Sequence, residues 1–210
     1  MGGILRMIKY ILCALLGYFA GCFSPSYLLS RRRGFDIRTF GSGNAGATNM
    51  MLAAGLKPGL IVMALDVSKA FVVTLPLRLL LPPLCAALAG LFCVLGHIFP
   101  VFLRFRGGKG TACLCGTVLG LTPELVLPLL ALMFIIGMIW NRASILPLLT
   151  ALVYAPLYLL RTGDWRSTIA LALIFPAMLW AHRSNFARKE QTFRQFLFGR
   201  HEPQREEAGE

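Results

Sequence analysis

Long apolar runs, separated by short basic or glycine-rich stretches, dominate this chain and leave few ways for it to fold. They cover residues 4–29, 60–81, 84–103, 111–121, 125–140, 144–160 and 165–181. Many are apolar on every helical face, which a single soluble core does not accommodate. Their lengths approach what an α-helix needs to cross the hydrocarbon layer of a bilayer. Composition agrees: 57% of the 210 residues are hydrophobic and 14% are charged, and the mean hydropathy is +0.69. The pattern predicts an all-α, polytopic integral membrane helix bundle of about seven transmembrane segments. Run 111–121 is short for a regular span, and the count becomes six if it joins the next run.

The net charge of +12 would suggest nucleic acid in a soluble protein. Here the basic residues lie between apolar runs, so membrane topology and an anionic substrate account for them, and no nucleic-acid partner is expected. Arg31, Arg32, Arg33, Arg38, Lys57, Arg104, Arg106, Lys109, Arg142 and the basic residues from Arg183 onward fall on one side. The other side holds Arg6, Lys9, Arg78, Arg161 and Arg166. The positive-inside rule makes the first side cytoplasmic, with the N-terminus outside and the C-terminus inside. Residues 1–190 read as one transmembrane domain and 191–210 as a polar cytoplasmic tail. Arg6 and Lys9 before an apolar stretch resemble a signal peptide, and Phe19-Ala20-Gly21-Cys22 a lipoprotein cleavage site. No polar mature region follows, so an uncleaved first helix is expected. The six cysteines form no C-x-x-C pair and read as packing residues.

Two polar stretches interrupt the apolar pattern with chemistry-bearing residues. Residues 41–49 run Gly-Ser-Gly-Asn-Ala-Gly-Ala-Thr-Asn. The glycines permit positive φ and close approach to a ligand, and Ser42, Asn44, Thr48 and Asn49 supply short donors and acceptors. This composition suits a phosphate cradled by backbone N–H groups. Gly41, Gly43 and Gly46 also satisfy G-x-G-x-x-G, but a charged loop precedes them where a dinucleotide site needs a strand. The second stretch, residues 104–111, holds Gly107-Gly108-Lys109-Gly110 ahead of an apolar run. A lysine beside a helix start pairs its ammonium with the helix dipole on an anion.

Ionisable residues inside apolar runs mark either structural pairs or sites. Asp66 and Lys69, three apart, share a helix face and fit both readings. His97 reads as a hydrogen-bond donor to substrate or as a general base. His182, Asn185 and Arg188 recur at i, i+3 on one face at the end of the last run. No metal-ligand spacing and no Gly-x-Ser-x-Gly elbow occurs, so no metal, no cofactor and no covalent Ser or Cys intermediate is expected.

Taken in order, these residues resemble the motifs of the bacterial acyl-phosphate:glycerol-3-phosphate acyltransferases, the PlsY family, over nearly the whole chain. The motifs are Ser-Gly-Asn-x-Gly-Ala-Thr-Asn at 42–49, Gly-His-x-Phe-Pro at 96–100 with Gly-Gly-Lys-Gly at 107–110, and His-Arg-x-Asn at 182–185. Leu-Asp-x-x-Lys at 65–69 and Ser144 also fit. The resemblance implies a monomeric, multi-pass enzyme of the bacterial inner membrane with its site on the cytoplasmic side. It would move an acyl group from acyl phosphate to the 1-hydroxyl of glycerol 3-phosphate, giving lysophosphatidic acid among membrane lipids. His97, His182 and Asn185 would act in catalysis. Ser42, Gly43, Asn44, Gly46, Thr48, Asn49, Asp66, Lys69, Gly107, Gly108, Lys109, Ser144 and Arg188 would bind substrate. The chain departs from the family pattern at Leu52, where an Arg is usual, at Cys113, where a Thr is common, and at Phe186, Thr192 and Arg194. The alternatives are a transporter of a phosphorylated metabolite and a diverged, inactive relative.

Overall fold

The computed structural model describes residues 2–140 and 145–186, with backbone alone at Trp140, Asn185 and Phe186. Every regular element among the described residues is helical. The first apolar run, expected as one segment, is two helices, α1 (Gly2–Cys22) and α2 (Pro25–Arg32). Ser24 ends the first and caps the second, accepting from Tyr27 N at 3.4 Å, and Pro25 occupies the first helical position. A turn of 3-10 helix at Ile37–Thr39 follows. Next comes α3 (Ala47–Ala54), a short helix inside the stretch expected to be loop. Gly55, at φ +91°, separates it from α4 (Leu56–Leu80). Then come α5 (Pro83–Ile98), α6 (Thr111–Leu121), α7 (Val126–Trp140) and α8 (Leu146–Thr162). The last run also divides, into α9 (Trp165–Ala172) and α10 (Ile174–Phe186).

Residues 2–32, 56–80 and 83–103 are long and apolar enough to cross a bilayer, whereas residues 111–121, 123–139 and 146–162 form shorter apolar helices. Large apolar side chains such as Ile4, Leu12, Val72, Leu80, Leu127 and Ile139 face outward. A lipid surround accepts such a surface, provided that backbone groups are bonded within helices.

α5 sits at the centre, flanked by α1, α4, α6, α9 and α10. Small residues set the spacing. Gly17 and Gly21, four apart on α1, press against the Ala89 and Cys93 carbonyls of α5, so that a Cβ at either position would overlap the facing backbone. Gly96 of α5 makes the reciprocal approach to the Tyr18 carbonyl. Gly116 and Gly120 bring α6 onto Val67 and Thr74 of α4 in the same way. Without a hydrophobic driving force between helices in lipid, this close packing is what holds them together. Thr74 and Thr117 donate to Ala70 and Cys113 carbonyls of their own helices at 2.8 and 2.9 Å, which satisfies both hydroxyls in the apolar interior.

Replacing Gly17 by Val tests this packing. Overpacking typically costs about 1–3 kcal/mol, so the variant should lose thermal stability in detergent, while Gly2→Val, with nothing within 4 Å, should not. Equal stability of the two variants would mean that α1 and α5 do not meet at Gly17.

Candidate active site

Helix ends converge at one end of the bundle. The Tyr18 hydroxyl of α1 donates to the Phe99 carbonyl just past α5 at 2.8 Å. Met178 of α10 lies against Gly110, the residue before α6. Met51 of α3 packs on Gly59 of α4. The C-terminal ends of α1, α5 and α10 thus gather with the N-terminal ends of α3, α4 and α6.

The loop before α3 is framed from within. Ile37, fully buried, anchors it in a small cluster with Ala45, Met50 and Val62. Arg38 grips Asp36 through Nε to Oδ1 at 3.0 Å and Nη2 to Oδ2 at 2.7 Å. Its Nη1 donates to the Leu103 carbonyl at 3.4 Å. The Arg38 hydrogen bonds hold the Asp36 carboxyl below its ordinary range. The Asn49 amide donates to the Ile37 and Phe40 carbonyls, both at 3.0 Å, and accepts from Ser42 N at 3.1 Å. Asn49 is therefore a loop staple, buried and fully bonded. Gly41 and Gly43 adopt φ +52° and +69°, and Gly46 leads into α3. Ser42 and Thr48 are exposed, and Asn44 is half-buried.

The second loop closes on the first. Ala45 N donates to the Gly107 carbonyl at 3.2 Å. Gly107 N and Gly108 N donate to the Ile98 and His97 carbonyls at 3.2 and 3.0 Å. A Cβ on Gly108 would overlap His97 Nε2, so only glycine lets this backbone lie across the imidazole. Gly110 takes φ +89° and opens α6. Neither α3 nor α6 has a side-chain cap, so their first N–H groups lack that partner. Lys109, half-buried, lies two residues before α6.

Beneath the loops lies a buried ionic cluster. Asp66 Oδ1 is 2.7 Å from Lys69 Nζ and 3.3 Å from His97 Nδ1. Lys69 Nζ also reaches His97 Nδ1 at 2.9 Å and the Gly21 and Phe23 carbonyls at 3.1 and 2.6 Å. The break after α1 frees those carbonyls. Asp66, His97 and Cys113 each offer a ligand atom within 4.8 Å of the others, but the Lys69 ammonium already stands as the cation between Asp66 and His97. Cys113 Sγ contacts the Asp66 carbonyl at 3.5 Å.

Most of the residues predicted from sequence converge here. Lys69 and Asp66 face inward to protein groups. His182, buried near the end of α10, bonds the Met178 carbonyl through Nδ1 at 2.8 Å. The side chain of Asn185 lies outside the described residues, as do Ser144 and Arg188 entirely. Gly17, Gly21 and the α1 carbonyls escaped notice in the sequence. The small-x-x-x-small spacing of 17/21 and of 116/120 was the available signal.

Comparison with known proteins places this arrangement in context. Residues 11–191 match a family described as Glycerol-3-phosphate acyltransferase. A protein of that name from Myxococcus xanthus is 43% identical over 178 residues, covering 83% of this chain and 92% of its own. One from Thermoanaerobacter pseudethanolicus is 37% identical over 182 residues, covering 85% and 90%. The crystal structure of PlsY, an integral membrane glycerol 3-phosphate acyltransferase, in its glycerol 3-phosphate form superposes with a TM-score of 0.79 at 27% identity, covering 90% of this chain and 98% of that one. The form with lysophosphatidic acid gives 0.74 at 26%, covering 92% and 94%.

Asn49→Ala should leave the helices intact but expose the Ser42 amide and the Ile37 and Phe40 carbonyls. An unpaired buried polar group costs about 1–3 kcal/mol. Hydrogen exchange at Ser42 should accelerate relative to the parent chain, and unchanged protection there would refute the staple.

Proposed function

The chain belongs to the family of integral membrane glycerol-3-phosphate acyltransferases that includes PlsY, and on that premise we propose that it moves a fatty acyl group from acyl phosphate to the 1-hydroxyl of glycerol 3-phosphate. The products are lysophosphatidic acid and inorganic phosphate. The hydroxyl oxygen forms the new bond to the acyl carbon. The bond from that carbon to the phosphate oxygen breaks, and the hydroxyl proton leaves with the phosphate.

One observation carries this reading: two helix N-termini without side-chain caps, α3 and α6, are joined through the Ala45–Gly107 hydrogen bond, and Lys109 lies two residues ahead of α6. Helix N-termini and an ammonium together favour phosphate, and both substrates carry one. Ser42, Asn44, Thr48 and Lys109 would contact phosphate oxygens, with Gly43, Gly46, Gly107 and Gly108 shaping the backbone around them. His97, with His182 and Asn185, would orient the acyl carbonyl and the acceptor, and Ser144 and Arg188 would complete the site. Direct transfer fits the absence of a nucleophile elbow in the sequence.

The same reading makes residues 1–190 one transmembrane domain with about seven segments, working as a monomer. It sits in the bacterial inner membrane with the N-terminus outside and the converged helix ends in the cytoplasm. Reporter fusions at the two termini should therefore report opposite sides; the same side for both would rule out an odd number of spans.

Purified protein given acyl phosphate and glycerol 3-phosphate should release phosphate and form lysophosphatidic acid. A transporter or an inactive relative would do neither. Losing a charge-assisted phosphate contact of about 1.5–3 kcal/mol lowers turnover roughly 10- to 150-fold, the drop expected of Lys109→Ala in folded, membrane-inserted protein. Near-parental turnover would return Lys109 to a topological role. Initial-rate patterns should be sequential, and an acyl chain trapped on a Ser or Cys would overturn direct transfer.

A further inference from the structure

We propose that the groove between α5 and α9 is a binding site for an anionic phospholipid, with a chain lying along the groove and the phosphate on Arg166. The site lies toward the end of the bundle opposite the candidate active site, and it does not depend on the acyltransferase reading above.

The groove has the dimensions of one leaflet. α9 packs against α5, and α10 continues to the far end of α5, where the Trp180 and Phe99 rings meet at 4.8 Å between centroids. The two helices therefore run the same way, with Arg166 at the starting end of α5. The groove between them measures about 480 Å³ and is lined by α5 from Leu84 to Leu95 and by the segment from Arg166 to Leu173. Leu91 and Ala170 are buried at its floor, while Ile169 and Leu173 are exposed at its rim. Apart from Arg166, every lining side chain is apolar. The helical rise from Leu84 to Leu95 is about 16 Å. Half of a bilayer's hydrocarbon core is about 15 Å.

The charge at one end of the groove lacks a protein counter-ion. Other basic side chains at this end of the bundle are engaged. Arg78 Nη1 donates to the Gly120 carbonyl at 3.4 Å, and Arg161 Nε pairs with Glu124 Oε1 at 3.1 Å. Asp164, two residues before Arg166, is taken up as the cap of α9. It accepts from the backbone N–H groups of Arg166 and Ser167 at 3.1 and 3.3 Å and from the Ser167 hydroxyl. Among the described residues, the Arg166 guanidinium meets only the Trp165 ring, 5.4 Å from its centroid. Tryptophan favours the membrane–water interface, the level at which lipid phosphates lie, and a guanidinium matches phosphate with paired N–H groups.

The position of this charge selects the occupant. A chain hanging from the candidate active site would enter past Leu95 and bring its methyl end to Arg166, leaving the guanidinium unmatched. The phosphate of such a ligand would sit near His97, about 20 Å of helix from Leu84. A lipid of the opposite leaflet puts its phosphate on Arg166 and its chain along α5 together. A zwitterionic head would bring a second cation beside the guanidinium, and an anionic head brings none.

The test is native mass spectrometry of the full chain in detergent, offered equal amounts of phosphatidylglycerol and phosphatidylcholine with identical chains. The parent should retain phosphatidylglycerol about fivefold better, the scale of one basic side chain's attraction to anionic lipid. Arg166→Gln should lose that preference, and Arg166→Lys should keep part of it. Ile169→Trp, which adds bulk at the rim, should hold less of either lipid. Equal retention of the two lipids by the parent overturns the proposal whatever any variant does, and so does an unchanged preference in Arg166→Gln. Turnover of Arg166→Gln and Ile169→Trp should match the parent at every acyl-chain length. A shifted chain-length preference would make the groove the substrate's own chain site and overturn the proposal. A parent that transfers no acyl group but holds phosphatidylglycerol through Arg166 would sink the functional reading and leave the lipid site standing.

Discussion

The buried contact between Asp66, Lys69 and His97 is the interaction to which the rest of this structure answers. Removing charges from water costs several kcal/mol per ion, and the cost is offset only where partners are close and numerous. Here the partners come from three helices. Lys69 at 2.7 Å from Asp66 and 2.6 Å from the Phe23 carbonyl requires α1 to stop where it does. Ser24 and Pro25 stop it. It also requires α1 to lie tight on α5, which Gly17, Gly21 and Gly96 allow. The glycine packing and the ionic cluster are thus one device: close backbones bring the carbonyls within reach of the ammonium, and the ammonium ties the helices.

The two glycine-rich loops stand on this base. The Gly107–Gly108 backbone is hydrogen-bonded to the carbonyls of His97 and Ile98, and Ala45 is bonded to Gly107. The two glycine-rich stretches are therefore referenced to the same turn of α5 that the cluster fixes. Asn49 and the Asp36–Arg38 pair do the remaining work of shape, holding the first loop without needing the ligand. Their side chains are taken up by the protein, while Ser42 and Thr48 stay exposed and Lys109 half-buried in the same pair of loops.

Much of this was legible in the chain before any coordinates. Apolar runs longer than a soluble core tolerates dictate helices in lipid, because the bilayer offers no partner for an open backbone. Glycine-rich stretches next to Lys109, and Asp66 and Lys69 at one-turn spacing, follow from local geometry alone, and α6 keeps the boundaries its hydropathy predicts. Local signals also explain the breaks that a hydropathy reading passes over: Ser24-Pro25 splits the first run, and α3 starts within the loop motif.

What the sequence by itself determined is the all-helical class, its apolar surfaces and the glycine-rich stretches with their residue types, while the split of α1 from α2, the helix α3 and the split of α9 from α10 emerged in the structure. The tertiary structure decided what each polar group does. Asn49 looks like a ligand in sequence and is a staple in space, because its three partners lie 7 to 12 residues away in a loop whose path only folding defines. Lys69 looks like half of an i, i+3 pair, yet it also bonds Gly21, Phe23 and His97, separated from it by 28 to 48 residues. Helix propensity and hydropathy act over a few turns. The direction of a buried hydrogen bond depends on which helices meet, and that is a property of the packed bundle.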